Sequence, residues 1–292
     1  MNVFLRCGVA LLVAAGLTGC SMSGQNTNPS GSEGRVPFVG DLSYQEVLER
    51  GGMVNNLGMT EQQIVWVGTH AGLYQSADGE SWGLVASDLE YQDVVEWFTD
   101  PGNPQEIFVA GQTGVMRSSD GGRSWTAIGE GLPDPALIRC MAWFEDEGSL
   151  HLVAFVSGEG LYHSTDDGES WSKWVQMDQE VYAMDYNPLE NRLYVAAQFS
   201  LFYYEDGEWK TEVVPEAEQT YSLSVDRRTG VLAVATEQGV YEKVDGTWQL
   251  LTAKAPEKLI VVAPGVGETR WIGIGESAMI YTLVDQKWRK WN

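Results

Sequence analysis

One eight-residue turn recurs along the chain at a spacing that requires a repeat architecture. Ser118-Ser-Asp-Gly-Gly-Arg-Ser-Trp125 returns as Ser164-Thr-Asp-Asp-Gly-Glu-Ser-Trp171, and one residue shorter as Ser76-Ala-Asp-Gly-Glu-Ser-Trp82. Each copy follows a Gly and a short apolar run: Gly72-Leu-Tyr, Gly114-Val-Met and Gly160-Leu-Tyr. Weaker copies keep the Trp and part of the turn, as Tyr204-Glu-Asp-Gly-Glu-Trp209, Lys243-Val-Asp-Gly-Thr-Trp248 and Leu283-Val-Asp-Gln-Lys-Trp288. The Trp residues stand at 82, 125, 171, 209, 248 and 288, so successive units are 43, 46, 38, 39 and 40 residues long. A period of this length marks supersecondary units that bury their apolar faces only against neighbouring copies.

The residue types suit a tight reversal between antiparallel strands. Gly121 and Gly122, or Asp167 and Gly168, adopt backbone angles that a β-carbon resists. Asp78, Asp120 and Asp166 accept backbone N–H groups within the turn, and Ser76, Ser118 and Ser164 do so more weakly. Trp82, Trp125 and Trp171 open the next strand and plug the sheet corner. Gly122 and Gly168 complete the structural set.

Two strand-like runs precede each turn, such as Ile64 to Gly68 with Gly72 to Tyr74, and Ile107 to Gly111 with Gly114 to Met116. A third run stands before them: Val94 to Phe98, Ile138 to Phe144, Val181 to Tyr186, Tyr221 to Val225 and Leu259 to Ala263. The strand begun by each Trp makes four per unit, which is the blade of an all-β propeller. Six antiparallel four-stranded blades fit between about residue 52 and the end, with a seventh, degenerate blade as the alternative. The sixth unit carries its own last strand at Trp288 to Asn292, or Val36 to Gly40 pairs there as a clasp. Ser43 with Glu46 three residues on fits a capping box, so Tyr44 to Arg50 is expected to be one or two helical turns.

The pattern Ser-x-Asp-x-Gly-x-x-Trp resembles the Asp box (BNR repeat) of the sialidase, sortilin and photosystem-assembly-factor propellers. The resemblance implies that the boxes lie on the outer turns, away from the ligand face. Sialidase-like enzymes carry three arginines for the sugar carboxylate and a Tyr nucleophile paired with a Glu. Gly34-Arg-Val-Pro-Phe38 echoes their first element, but only Arg139 falls on an expected inner strand, while Arg227 and Arg228 fall on the Asp-box side. Tyr182 and Tyr221 also fall on inner strands. Assembly-factor propellers share the blade length and export, and imply a rigid protein-binding platform.

Residues 1–19 read as a lipoprotein signal peptide. Val9 to Leu17 is apolar but too short to span a bilayer, and Leu17-Thr-Gly-Cys20 resembles the bacterial lipobox, which implies lipidation at Cys20. Residues 20–35, rich in Ser, Gly and Asn, form the tether, and 36–292 the propeller. The protein is therefore expected in the bacterial cell envelope, anchored through its lipid on the extracytoplasmic side of a membrane. Cys140 then has no partner, and a buried thiol is expected.

A net charge of −23, from 41 acids against 18 bases, disfavours nucleic acid as a partner. No phosphate loop, zinc motif or Ser/His/Asp set appears, and neither metal nor cofactor is expected. Opposite the Asp boxes, the loops between second and third strands hold His70, Glu159, Glu237 and Glu276. These four are expected to converge at the channel mouth, within an acidic rim that also includes Glu90, Asp134, Asp178, Glu180, Glu218 and Glu257. The expected function is non-catalytic binding of a protein or glycan partner, with a sialidase-like exo-glycoside hydrolase as the alternative.

Overall fold

The computed structural model describes residues 39–291 other than 101, 147, 198 and 199. The segments expected to be signal peptide and tether, with Cys20, and the stretch Gly34 to Phe38 lie outside the described residues. The rest forms six four-stranded antiparallel blades in a ring. In every blade the strands follow chain order from the axis outward, here called a to d. The a strands are Val54–Met59, Glu96–Thr99, Ile138–Asp146, Val181–Asn187, Thr220–Asp226 and Leu259–Pro264. No strand is left for a seventh blade, since all strands of the described residues belong to these six sheets.

The ring closes without a shared strand. Blade 6 keeps its own d strand, Lys287–Lys290, because Asp285 and Gln286 both take positive φ and fold it back onto Ile280–Val284. The N-terminal strand, Val39–Leu42, does not clasp blade 6. It lies outside Trp82–Leu84 as a fifth strand of blade 1, and covers an edge that would otherwise be open. The helix Tyr44–Gly51 follows, and its capping box forms as the sequence implies, with Ser43 and Glu46 bonded reciprocally. Tyr44 donates its hydroxyl to the Ala278 carbonyl at 2.7 Å. Val47 of the helix and Val65, Val67 and Trp82 of blade 1 pack with Ile272, Ile274 and Ile280 of blade 6. Burial of these aliphatic faces, not backbone pairing, holds the seam.

The Ser-x-Asp turns join strands c and d of the first three blades. In blade 2, Ser118 Oγ accepts the Gly122 N–H at 2.8 Å, and Asp120 Oδ1 accepts those of Arg123 and Ser124 at 2.9 and 3.0 Å. Trp125 Nε1 donates to the Gly122 carbonyl at 3.1 Å, and its ring packs among Trp66, Leu89 and Val109, between blades 1 and 2. Asp166 and Trp171 repeat this in blade 3, as do Asp78 and Trp82 in blade 1. Hydrogen bonds from the Ser124 hydroxyl and N–H hold the Asp120 carboxyl well below the usual carboxylate range, and Asp78 and Asp166 are lowered in the same way. Asp120→Ala leaves those N–H groups without their acceptor, and a loss of about 1–3 kcal/mol is expected in urea unfolding. Depressed carboxyls contribute stability that is present above the unfolded value near pH 4 and lost as pH falls through the lower folded value. Wild type should therefore lose more stability below pH 4 than Asp120→Ala does.

Candidate functional site: the central channel and its mouth

Strand order fixes two faces. The a–b and c–d turns lie on one, and the b–c turns and blade-to-blade connections on the other, called here the mouth face. A cavity of about 690 Å³ occupies the axis, and all six a strands line it.

The mouth is built by a repeated irregularity. In five of the six a strands the pairing register shifts just after the first residue, around Asn55, Arg139, Tyr182, Tyr221 and Ile260. Val95 holds the corresponding place in blade 2, and all six residues line the cavity. A bulge leaves its extra residue out of the ladder and re-aims the side chain, here one per blade at one height. Tyr182 is committed to structure: its hydroxyl lies 2.7 Å from the Ala197 carbonyl, and burial pushes its pKa up to about 12. Arg139 is exposed at the mouth.

One residue further in, Asn56 Nδ2 donates to Glu96 Oε1 at 2.5 Å. Glu96 ion-pairs with no base among the described residues. Desolvation pushes its carboxyl up to about 8, with a further rise from the negative Asp185; the Trp97 N–H, Asn56 and Arg227 only partly offset it. Asp185 is held instead by Arg227, whose guanidinium lies 2.8 Å from Oδ1, while Oδ2 accepts the Val225 N–H at 2.8 Å. Arg227 also donates to the Trp143 carbonyl at 2.9 Å and lies 3.6 Å over the Trp143 ring. It thus ties blade 5 to blades 4 and 3. Arg228 pairs with Asp226 at 3.0 Å and donates to the Gly265 carbonyl.

The four loop residues expected at the mouth are not brought together, and none lines the cavity. His70 Nδ1 sits 2.7 Å from Asp93 Oδ1, which also accepts from Asn55, so His70 reaches the channel wall only through that chain. Glu159 pairs with Lys173 and Glu276 with Lys258. Glu237 is desolvated, yet the N–H groups of Glu218 and Gln219 hold its carboxyl below the usual range. The other rim acids, Glu90, Asp134, Asp178, Glu180, Glu218 and Glu257, also stay out of the cavity wall. No group of three or more His, Cys, Asp or Glu among the described residues is disposed to hold a metal. Cys140 is free and buried beside the channel, and burial raises its thiol well above the usual value.

Sequence reasoning placed Arg139, Tyr182 and Tyr221 on inner strands but missed Glu96 and Asp185. The available signal was a charged residue inside an otherwise apolar first run, Val94-Val-Glu-Trp-Phe98 and Ala183-Met-Asp-Tyr186.

No family model matches the chain, and no curated protein does. Solved structures do. A protein of unknown function from Bacteroides thetaiotaomicron is similar at TM-score 0.64 and 12% identity, over 82% of this chain and 70% of that one. YCF48 bound to D1 peptide is similar at TM-score 0.55 and 16% identity, over 82% of this chain and 81% of that one. An ancestral GH74 enzyme is similar at TM-score 0.55 and 18% identity; the match covers 80% of this chain and only 36% of the enzyme. At these identities the likeness is one of fold, and the fold it shows is the β-propeller.

Proposed function

We propose that this is a lipid-anchored extracytoplasmic binding protein whose propeller offers its mouth face to a basic protein partner. One observation carries the reading. Six large apolar side chains are exposed among the described residues, and five of them, Met53, Tyr91, Leu137, Val213 and Leu250, belong to the mouth face. The sixth, Leu189, lies on the other. Apolar points collected on one face and set among acids describe a recognition surface. Glu90, Asp134, Asp178 and Glu216 stand among them, and none ion-pairs with a base among the described residues. Tyr91 adds a second sign. It is 80% exposed at φ 64°, a strained backbone for a bulky residue, fixed by its N–H bond to the Ala71 carbonyl.

The chain's likeness to YCF48 bound to a peptide supports binding by a ring of this size. The commitments of Arg227, Arg228 and Tyr182 to structural partners favour binding over sialidase-like hydrolysis. The anchor rests on Leu17 to Cys20, and mass spectrometry of the mature N-terminus tests it.

The face is tested with a photo-crosslinker placed in turn at Leu137 and, on the opposite face, at Glu80. Capture of one basic envelope protein from Leu137, absent from Glu80, is expected. Tyr91→Asp should weaken binding of the captured protein about tenfold, as a hot-spot loss of about 1–2 kcal/mol does. Raising salt should weaken it further, because the attraction between exposed charges is screened. Equal capture from both faces, or binding indifferent to Tyr91→Asp, would remove the reading.

A further inference from the structure

We infer that the channel takes up a single primary ammonium group through the mouth face, and that Glu96 is its counter-ion. The inference rests on the mouth as a face for basic partners, but not on the rim contacts. A lysine side chain and a free polyamine both present this chemistry.

Charge inside the cavity is not evenly matched. The acids lining it are Glu61, Glu96, Asp185 and Asp226, and the bases are Arg139, Arg227 and Arg228. Arg227 is taken by Asp185 and Arg228 by Asp226. Arg139 stands exposed at the mouth and forms no ion pair among the described residues. Glu61 lies on the a–b turn of blade 1, in solvent. Glu96 is therefore the carboxyl in the channel wall that lacks a cation. The groups acting on it come from four blades: Asn56 from blade 1, Cys140 from blade 3, Asp185 from blade 4 and Arg227 from blade 5. Asn56 solvates one of its oxygens and leaves its charge unbalanced. The cavity wall also holds the aromatic residues Trp97, Trp143, Tyr182 and Tyr221, and such rings favour a cation over a neutral guest, as Arg227 over Trp143 shows inside the channel. Lys258 already shows that preference on the mouth face, with its ammonium 5.0 Å from the Tyr221 ring centre.

Uptake is an exchange. Unliganded Glu96 is mostly protonated at neutral pH, since its carboxyl titrates near 8. An arriving R–NH₃⁺ keeps its own proton and stabilises the carboxylate, and the Glu96 proton leaves to solvent. Binding should thus release close to one proton at pH 7. Affinity should rise about tenfold per pH unit from 6 to 7.5 and level off above 8, while the amine stays charged to about pH 10.

The test is calorimetric titration of the whole protein with spermidine at pH 7, in two buffers of different ionisation heat. One site, release of close to one proton and at least tenfold weaker binding to Glu96→Gln are expected. Glu96→Gln should itself fold at least as stably as wild type above pH 6, because it removes a carboxyl whose ionisation the fold opposes. Spermidine binding without proton release, or binding unchanged in Glu96→Gln, would overturn the inference, as would no binding at all. The capped peptide acetyl-Gly-Lys-Gly-amide, run alongside, identifies the source: the tighter of the two ligands names it. Tyr91→Asp separates the two readings. It should leave spermidine binding intact while breaking partner capture. Capture that survives when spermidine fails leaves the face standing without the channel site.

Discussion

Trp82→Ala is expected to lower stability by about 3–5 kcal/mol, the range for deleting a large aromatic side chain from a core. Trp82 is fully buried. Its ring meets Tyr44 at 5.0 Å and Trp291 edge-on at 6.0 Å, and its Nε1 donates to the Gly79 carbonyl at 3.0 Å. Those neighbours belong to the capped helix, to the segment after the last strand and to the turn itself, so one side chain joins three parts of the seam. Between other blades the chain itself runs across. Between blades 6 and 1 no strand is shared, and side-chain packing, with the Tyr44 hydroxyl bonded to the Ala278 carbonyl, resists opening. The loss should therefore exceed that for Trp125→Ala, which fills the equivalent place between blades 1 and 2, and Trp82→Phe should recover much of it. Calorimetry checks both, with a fall in Tm of about 10 °C expected for the alanine variant. Equal losses at Trp82 and Trp125 would show that the seam is no weaker than any other junction.

Lys243→Ala should cost about 3 kcal/mol or more, for a different reason. Blades 4 and 5 lack the Ser-x-Asp turn and make Asp-Gly hairpins instead, with both central residues at positive φ. Their outer corner is held by charge. The buried Lys243 ammonium pairs with Glu212 at 2.5 Å and lies 5.5 Å from the Tyr194 ring centre and 5.9 Å from that of Trp248. Trp248 Nε1 donates to the other Glu212 oxygen at 2.9 Å. Removing the lysine leaves a mostly buried carboxylate with only an indole donor, and breaking such a pair on one side is far more costly than replacing both sides. Lys243→Met combined with Glu212→Gln should lie within about 1–2 kcal/mol of wild type in urea unfolding. A single variant as stable as the double would show that Glu212 finds water when its partner is gone.

The sequence carried the architecture because its strongest signals are local. A turn closed by Ser118, Asp120 and Trp125 needs only the residues within it, so its pattern can be counted along the chain. The capping box at Ser43 and Glu46 is legible for the same reason. The channel was harder to read. His70, Glu159, Glu237 and Glu276 do occupy equivalent loops, but those loops join the second and third strands. At a strand spacing of nearly 5 Å they stand roughly 7 Å outward of the channel wall. The residues that do ring the mouth are chosen by a one-residue register shift, whose faint trace in the sequence is a three-residue step between buried positions, Val54 to Leu57 and Val181 to Met184, in place of strict alternation. Glu96 acquires its character from burial and then from Asp185, which stands on another blade 89 residues away in the chain.

The ring of bulged residues has a consequence for how the protein can change. A residue outside the ladder contributes no backbone pair whose register its side chain must respect. Arg139, Tyr221 and Ile260 are in this sense slots rather than struts. Blades 3, 5 and 6 each present one such letter in the cavity wall, and these can be exchanged one at a time while the sheets beneath keep their pairing. Such a scaffold separates heredity of shape from heredity of preference: the turns on the far face hold the ring, and a three-letter word at the mouth is left open to rewriting.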